Sequence, residues 1–339
     1  MNSESAHAIT GWLVSSAGRR GELVRILQST AVGNGPVPVC AVDITAYSAA
    51  GMLADSFELV PRCTQPDFVE RVMQIARRHR ANVVIPTIDP EIAVYARARE
   101  ELRQAGVLVW VSSPEVAQLG WDKWELAQWC ERHQLPGPRT VQVRDRELAL
   151  QVFDGPVIAK PRSGSASIGV RRYQRVEAVE FTSLTDDYIL QECVPGAEVT
   201  IDFAVSRAGE LLGYCPRKRL EVRAGEVSKA VTITHPAIDA LMAQVVPLLP
   251  GAYGMLNLQV FLDETTGKVT ILELNPRFGG GFPLAHAAGS GLLEALVADT
   301  VAPGSAAAGR VREGEPGLVM LRYDSHVVTR EEDLPGACS

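Results

Sequence analysis

The sequence predicts an α/β domain on a doubly wound parallel sheet, followed by an α+β region built on antiparallel hairpins. Three observations carry that expectation. The first ~115 residues alternate short apolar runs with helical patterns, and the later part reads strand, turn, strand. A chain of 339 residues also exceeds one small core and suits two or three packed units. In order, strands are expected at residues 11–15, 37–42, 83–86 and 107–111, with helices at 22–28, 67–80 and 91–105. Strands alternating with helices make βαβ units, whose ligands gather at the carboxyl ends of the strands.

Composition narrows the function. Hydrophobic residues make up 46% and charged residues 22%, the balance of a soluble globular chain. Forty acidic against 33 basic side chains give a net charge of −7, which leaves no global attraction for a phosphate backbone and argues against nucleic acid. No apolar run approaches the ~18 residues that span a bilayer, and residues 1–10 lack a secretory pattern. No membrane partner is expected. The six cysteines, at positions 40, 63, 130, 193, 215 and 338, form no C-x-x-C pair and read as reduced thiols of a cytoplasmic protein.

Three segments fall at the carboxyl ends of the first strands: Ser15-Ser16-Ala17-Gly18-Arg19-Arg20-Gly21, Asp43, and Thr87-Ile88-Asp89-Pro90-Glu91. A glycine turn with an acid ~25 residues on invites a dinucleotide reading, but Gly18 and Gly21 make only G-x-x-G. Tight turns explain the glycines. Arg19 and Arg20 suit a substrate carboxylate. Asp89 and Glu91 are candidate substrate contacts too, although Asp-Pro-Glu is also an ordinary helix start.

In the middle of the chain, Asp122 and Glu125 form a capping box for a helix running to about residue 133. Lys123 then sits where the helix dipole disfavours a cation, which an anion facing that helix end would explain. Residues 155–160 read as a buried strand ending in Lys160. It runs into a loop of small residues containing Ser163, Gly164, Ser165, Ser167 and Gly169. Such loops wrap phosphates, though a plain Gly/Ser hairpin explains this one as well. Residues 188–194 and 199–205 are a strand pair joined at Pro195-Gly196, with Glu198 just beyond. That joint suits either a purine-binding cleft or an ordinary hairpin.

The strongest signal lies between residues 256 and 281. Two alternating strands, 256–262 and 269–275, face each other across a turn at 264–268. Residues whose numbers sum to 532 then pair, which sets Gln259 opposite Glu273, and Asn275 shares their face. Oxygen ligands without His or Cys suit Mg²⁺, which shares its shell with substrate phosphates. Arg277 and the triplet Gly279-Gly280-Gly281 follow at once.

Together these motifs resemble the ATP-grasp superfamily, in its carbamoyl-phosphate-synthase-like branch. The resemblance rests on Asp122-Lys123, Ile158-Ala159-Lys160-Pro161 with its loop, Leu190-Gln191-Glu192-Cys193-Val194 with Gly196-x-Glu198, Gln259, and Glu273-Leu274-Asn275-Pro276-Arg277-Phe278-Gly279-Gly280. It covers residues 115–300, and the segment before them looks like a pre-ATP-grasp domain. It implies a pre-ATP-grasp domain at 1–115, an N-terminal grasp subdomain at 116–190 and a C-terminal one at 191–339, closed by a strand at 317–323. It implies ATP phosphates on Lys123 and Lys160 under the loop 163–169, and adenine at Gln191, Glu192, Cys193 and Val194, mostly through backbone groups. Ribose would meet Glu198. It implies Mg²⁺, or Mn²⁺ in its place, on Gln259, Glu273 and Asn275, with Arg277 stabilising phosphoryl transfer. Arg217, Lys218, Arg219 and Lys229 lie where related proteins contact substrate, and a charged strand face explains them equally. No second copy of these motifs is present, which argues for a single-unit ligase joining a small carboxylate to an amine through an acyl phosphate. Phosphorylation of bicarbonate or carbamate, a non-catalytic ATP-binding module and a nicotinamide oxidoreductase are the rivals. A homodimer is the assembly commonest for soluble enzymes.

Overall fold

A computed structural model describes residues 8–164, 168–223, 225–304 and 312–336 of the chain. The first sheet is parallel throughout, in the order Ser56–Leu59, Val39–Asp43, Trp12–Ser15, Val83–Pro86, Leu108–Val109. Its central strands are apolar on both faces because both are covered. Trp12 and Val14 pack toward helix Gly21–Ser29, while Leu13 packs toward helices Phe68–Arg78 and Asp89–Gln104. Five strands replace the four expected. Ser56–Leu59 escapes a pattern search because it is a half-buried edge strand with only two apolar residues. The strand order reverses between Trp12–Ser15 and Val83–Pro86, so the crevice lies between residues 16–20 and 87–89. Asp43 does not face a dinucleotide there, since its carboxylate accepts from the N–H groups of Gly18 at 2.7 Å and Ile44 at 2.7 Å.

Two further sheets follow. A four-stranded sheet runs Arg171–Tyr173, Val157–Pro161, Tyr188–Glu192, Thr140–Gln142, all antiparallel. The larger sheet runs Lys268–Asn275, Gly254–Asp263, Ala197–Val205, Leu211–Arg223, Glu226–Thr232, Val319–Leu321, antiparallel along this path, with Arg312–Glu313 added in parallel to Leu211–Arg223. The pair Leu211–Arg223 and Glu226–Thr232 was not anticipated, and the closing strand is shorter than 317–323. One face of this sheet buries Val199, Ile201, Leu256, Leu258 and Val260 against helices Lys123–Arg132 and Pro236–Val245. Its other face is polar and carries the site.

The first domain and the large sheet share one continuous core. Trp12 meets Trp110 at 5.2 Å between ring centroids, Trp110 stacks on Phe278 at 6.4 Å, and Phe278 meets Phe282 edge-on at 4.8 Å. Aromatic contacts of this kind add ~0.5–1.5 kcal/mol each beyond area burial. Trp110 also donates its indole N–H to Thr300 Oγ1 at 3.2 Å. This column fixes the crevice loops against the segment 275–281.

Candidate active site

The polar face of the large sheet is built by register. Gln259 pairs with Glu273 and with Thr200, and Thr200 pairs with Arg217, which makes one row across four strands. One step along, Asp202, Asn257 and Asn275 make the next row. Gln259 and Glu273 face each other as their numbering predicts, but the pairing slips by one residue from Val260 and Ile271 toward the turn. The extra residue, Leu272, forms a bulge and lines the cavity above the sheet. The Gln259 amide, oriented with its nitrogen toward the carboxylates, donates to Glu273 Oε2 and Glu198 Oε1 at 3.2 Å each and accepts from Asn275 at 3.3 Å.

That cavity has a volume of about 490 Å³ and lies between the two antiparallel sheets. Lys123, Lys160, Ser163, Gly164, Glu198, Gln259, Glu273, Asn275 and Arg277 all line it. Ile158, Val170, Phe261 and Leu272 supply its apolar walls, the chemistry of a slot for a flat base. Gln191 through Val194 also line it, and the side chains of the first two are engaged elsewhere. Gln191 donates to Thr140 Oγ1 at 2.9 Å, and the Glu192 carboxylate accepts from Arg139 Nε at 2.7 Å. Glu198 is bound to Arg219 at the cavity edge.

The loop after Lys160 is anchored at its root by a residue the sequence did not single out. Arg162 grips both oxygens of Asp122, at 3.1 and 2.5 Å. Asp122 also caps the helix Lys123–Arg132 by accepting from the N–H of Trp124 at 2.9 Å. The reciprocal half of the expected capping box does not form, because Asp122 also ends the preceding helix Pro114–Trp121 and gives its N–H to Gln118 O. Lys123 reaches over to donate to Gly164 O at 2.6 Å, so it holds the loop as well as lining the cavity. Gly169 has φ +77° and a Cβ there would lie 2.7 Å from Tyr188 Oη, which requires glycine. It does not line the cavity, and Ser165 and Ser167 lie outside the described residues.

Electrostatics link the two sheets. Loss of solvent around the recessed Lys160 ammonium lowers its pKa to about 8, with Glu273 pulling it up and Lys123 pushing it down. Burial raises the pKa of Glu273, and Lys123 and Lys160 oppose that. A polyphosphate entering between the lysines would favour the charged ammonium. Mg-ATP binding is therefore expected to take up a proton above about pH 8, and affinity should fall as pH rises past that value. Calorimetric titrations in buffers of different ionisation enthalpy read the proton directly. Binding that moves no proton near pH 8.5 would contradict the assignment.

Arg277 sits where this cavity meets a second one of about 330 Å³. Its Nε and Nη2 donate to the two oxygens of Asp89, at 2.6 and 2.7 Å, across the domain junction. Asp89's charge and hydrogen bonds outweigh the effect of burial and raise the Arg277 pKa. Asp89 lines the second cavity, where its carboxylate holds Arg277. Glu91, expected as a substrate contact too, does not line that cavity. It is fully buried and accepts from Ser15 Oγ at 2.7 Å, Ser16 Oγ at 2.9 Å, and the N–H groups of Thr87 and Ile88 at 2.6 and 3.2 Å. It is the start of the helix Asp89–Gln104, tied to the crevice loop. Arg19, Arg20 and Arg219 do line the second cavity. Strand alternation sorts the basic run: Arg217 and Arg219 turn inward, while Lys218 pairs with Glu264 and Lys229 with Glu221 at the surface.

The donor set offers Mg²⁺ one carboxylate, Glu273, and the amide oxygens of Gln259 and Asn275. Among the described residues no cluster of three or more His, Cys, Asp or Glu could hold a metal. These three oxygens fit an ion that completes its shell with nucleotide phosphates and water. Cysteine chemistry is absent from the account: burial pushes Cys40 up to about 11 and Cys130 and Cys215 up to about 12, and raises Cys193 at the cavity wall.

Residues 12–110 match the family model described as PylC-like, N-terminal domain, and residues 121–281 match the ATP-grasp domain. Residues 121–281 therefore carry an ATP-grasp domain, the domain of a family of ligases whose usual cofactors are ATP and Mg²⁺. Among solved structures it is similar to the biotin carboxylase domain of the Hydrogenobacter thermophilus 2-oxoglutarate carboxylase, which holds MgADP, ADP and bicarbonate. The identity is 16%, the TM-score 0.67, and the match covers 88% of this chain and 70% of that one. It is similar to the ADP complex of PurK, an N5-carboxyaminoimidazole ribonucleotide synthetase, at 17% identity and TM-score 0.65, covering 85% and 75%. It is also similar to an L-amino acid ligase from Bacillus licheniformis, at 16% identity and TM-score 0.64, covering 87% and 74%. No curated protein matches the sequence. Among the described residues no helix is long and apolar enough to cross a membrane.

Proposed function

We propose that the chain joins a small carboxylic acid, such as an amino acid, to an amine, releasing ADP and phosphate. The observation that carries this reading is the pairing of chambers. A cavity suited to ATP phosphates opens beside Arg219, Gln259, Asn275 and Arg277 onto a second, arginine-lined cavity, and all four residues line both. In this reading Lys123 and Lys160 hold the phosphates, and the backbone of 191–194 meets the base. Glu273, Gln259 and Asn275 would hold Mg²⁺, which supplies charge neutralisation on the phosphate oxygens. A substrate carboxylate oxygen attacks the γ-phosphorus, and the bond from phosphorus to the ADP oxygen breaks. The amine nitrogen then attacks the acyl carbon, loses a proton, and expels phosphate. Arg277, fixed by Asp89, faces the developing negative charge without reorganising.

The L-amino acid ligase and PurK among the similar structures support a carboxylate–amine or bicarbonate class. Bicarbonate is the second reading, supported by the carboxylase structure that contains it. The size of the second cavity, about 330 Å³, favours a larger acid. Product analysis with Mg-ATP tests both. ADP formed only when acids and amines are present supports the ligase, and ADP with bicarbonate alone supports the second reading. AMP as the nucleotide product would rule out both. ATP bound without turnover would leave a non-catalytic module.

A further inference from the structure

The second cavity carries more positive charge than the proposed phosphoryl chemistry uses. Arg20, at the end of the crevice loop, has one carboxylate within 4.0 Å among the described residues, Glu226 at 3.6 Å, which Arg322 engages more closely at 2.6 Å. Its Nη1 has no hydrogen-bond acceptor among the described residues. Arg217, only 3% exposed, donates its Nε to Asp202 at 2.7 Å and leaves its own Nη1 without an acceptor.

The glycine turn brings these two guanidinium groups to bare backbone. A Cβ on Gly280 would lie 2.7 Å from Arg20 Nη1, and one on Gly281 would lie 2.5 Å from Arg217 Nη1. Five arginines line the cavity, Arg19, Arg20, Arg217, Arg219 and Arg277, against the acids Asp89 and Glu226 in the lining and Asp202 and Glu198, which pair with Arg217 and Arg219 from beside it. Unmet donors in a recess are costly, and a carboxylate satisfies forked N–H groups better than any neutral group.

We propose that the second cavity binds a carboxylate other than the one that is activated, held by Arg20 and Arg217 beside the turn 279–281. The substrate pair therefore includes a second acidic group, either on a diacid that serves as acyl donor or as the carboxylate of an amino acid that serves as the amine. The reaction in which it takes part rests on the ligase reading, and the binding itself does not.

The test compares matched probes. Short straight-chain diacids are set against monoacids of equal length, and L-amino acids against the amines left when their carboxyl group is removed. Each is titrated calorimetrically into the full chain, and each is assayed for ADP release. The expected result is binding at least ~10-fold tighter for the member with the additional carboxylate in one set. The set that shows the preference names its source. In R20Q the ratio should collapse toward one, and R20K should restore part of it. In turnover the preference should appear in KM more than in kcat. A thermal melt of each variant separates loss of binding from loss of folding. Equal binding within both sets, or a preference that survives in folded R20Q, overturns the proposal. A carboxylate preference in binding with no ADP release from any acid would keep the site and remove the ligase reading. ADP release with no such preference would do the reverse.

Discussion

Lys160→Met is expected to cut ADP-forming turnover by at least ~10²-fold while leaving the protein at least as stable as the parent. The two effects share one cause. Lys160 is held in a recess that withdraws solvent from its ammonium and brings Lys123 near it, which lowers its pKa to about 8. A group whose folded pKa lies below its unfolded value binds fewer protons folded than unfolded across that interval. The stability cost is full below about pH 8 and fades as pH rises toward the ordinary lysine range. Methionine fills the space and removes the cost, so urea melts of Lys160→Met should lack the rise in stability expected of the parent between about pH 8 and pH 10.5. The charge is retained for the phosphates it would meet. Near-parental turnover in a folded Lys160→Met protein would remove Lys160 from the chemistry.

Glu273→Gln is expected to cost at least ~10²-fold in turnover as well, with a raised Mg²⁺ requirement. The substitution keeps size and changes charge, and Glu273 is the one carboxylate among the three ligand-type residues Gln259, Glu273 and Asn275. It also pulls the Lys160 pKa upward, so its loss should lower that pKa and shift the alkaline limb of the ATP-affinity profile to lower pH. Burial raises the Glu273 pKa above its ordinary value. Its ionised form therefore costs stability as pH rises through that raised value, and Glu273→Gln should abolish this acid-side slope. Steady-state kinetics over a Mg²⁺ series and melts over pH measure the two consequences. An unchanged Mg²⁺ requirement would place the metal elsewhere.

The parts of this site legible in the sequence are those fixed by local period. Gln259, Glu273 and Asn275 lie on one face because strand side chains alternate, and the pairing follows from the turn between them. The bulge at Leu272 was not legible, since one extra residue near a turn leaves no mark in an apolar run. Asp89 illustrates a different limit. It lies 188 residues from Arg277, and only the packing of Trp12, Trp110 and Phe278 brings the two together. Glu91 shows a local rule prevailing over a functional guess: in Asp-Pro-Glu the third residue reaches back to its own helix start. Arg162 was hidden because an arginine entering a small-residue loop looks like part of the loop, whereas its partner Asp122 comes from a helix end. For Arg217 and Arg219 the missing datum was the strand itself, since Leu211–Arg223 has no uniform alternation until its buried half is separated from its exposed end.

The central claim is that a carboxylate attacks the γ-phosphorus of ATP in the chamber between Lys160, Glu273 and Arg277. Its most direct test supplies the acid labelled with ¹⁸O in both carboxyl oxygens, with Mg-ATP and amine, and follows the label into the products. One ¹⁸O atom is expected in each phosphate released, with ADP unlabelled. Label in AMP, or phosphate carrying none, would contradict it.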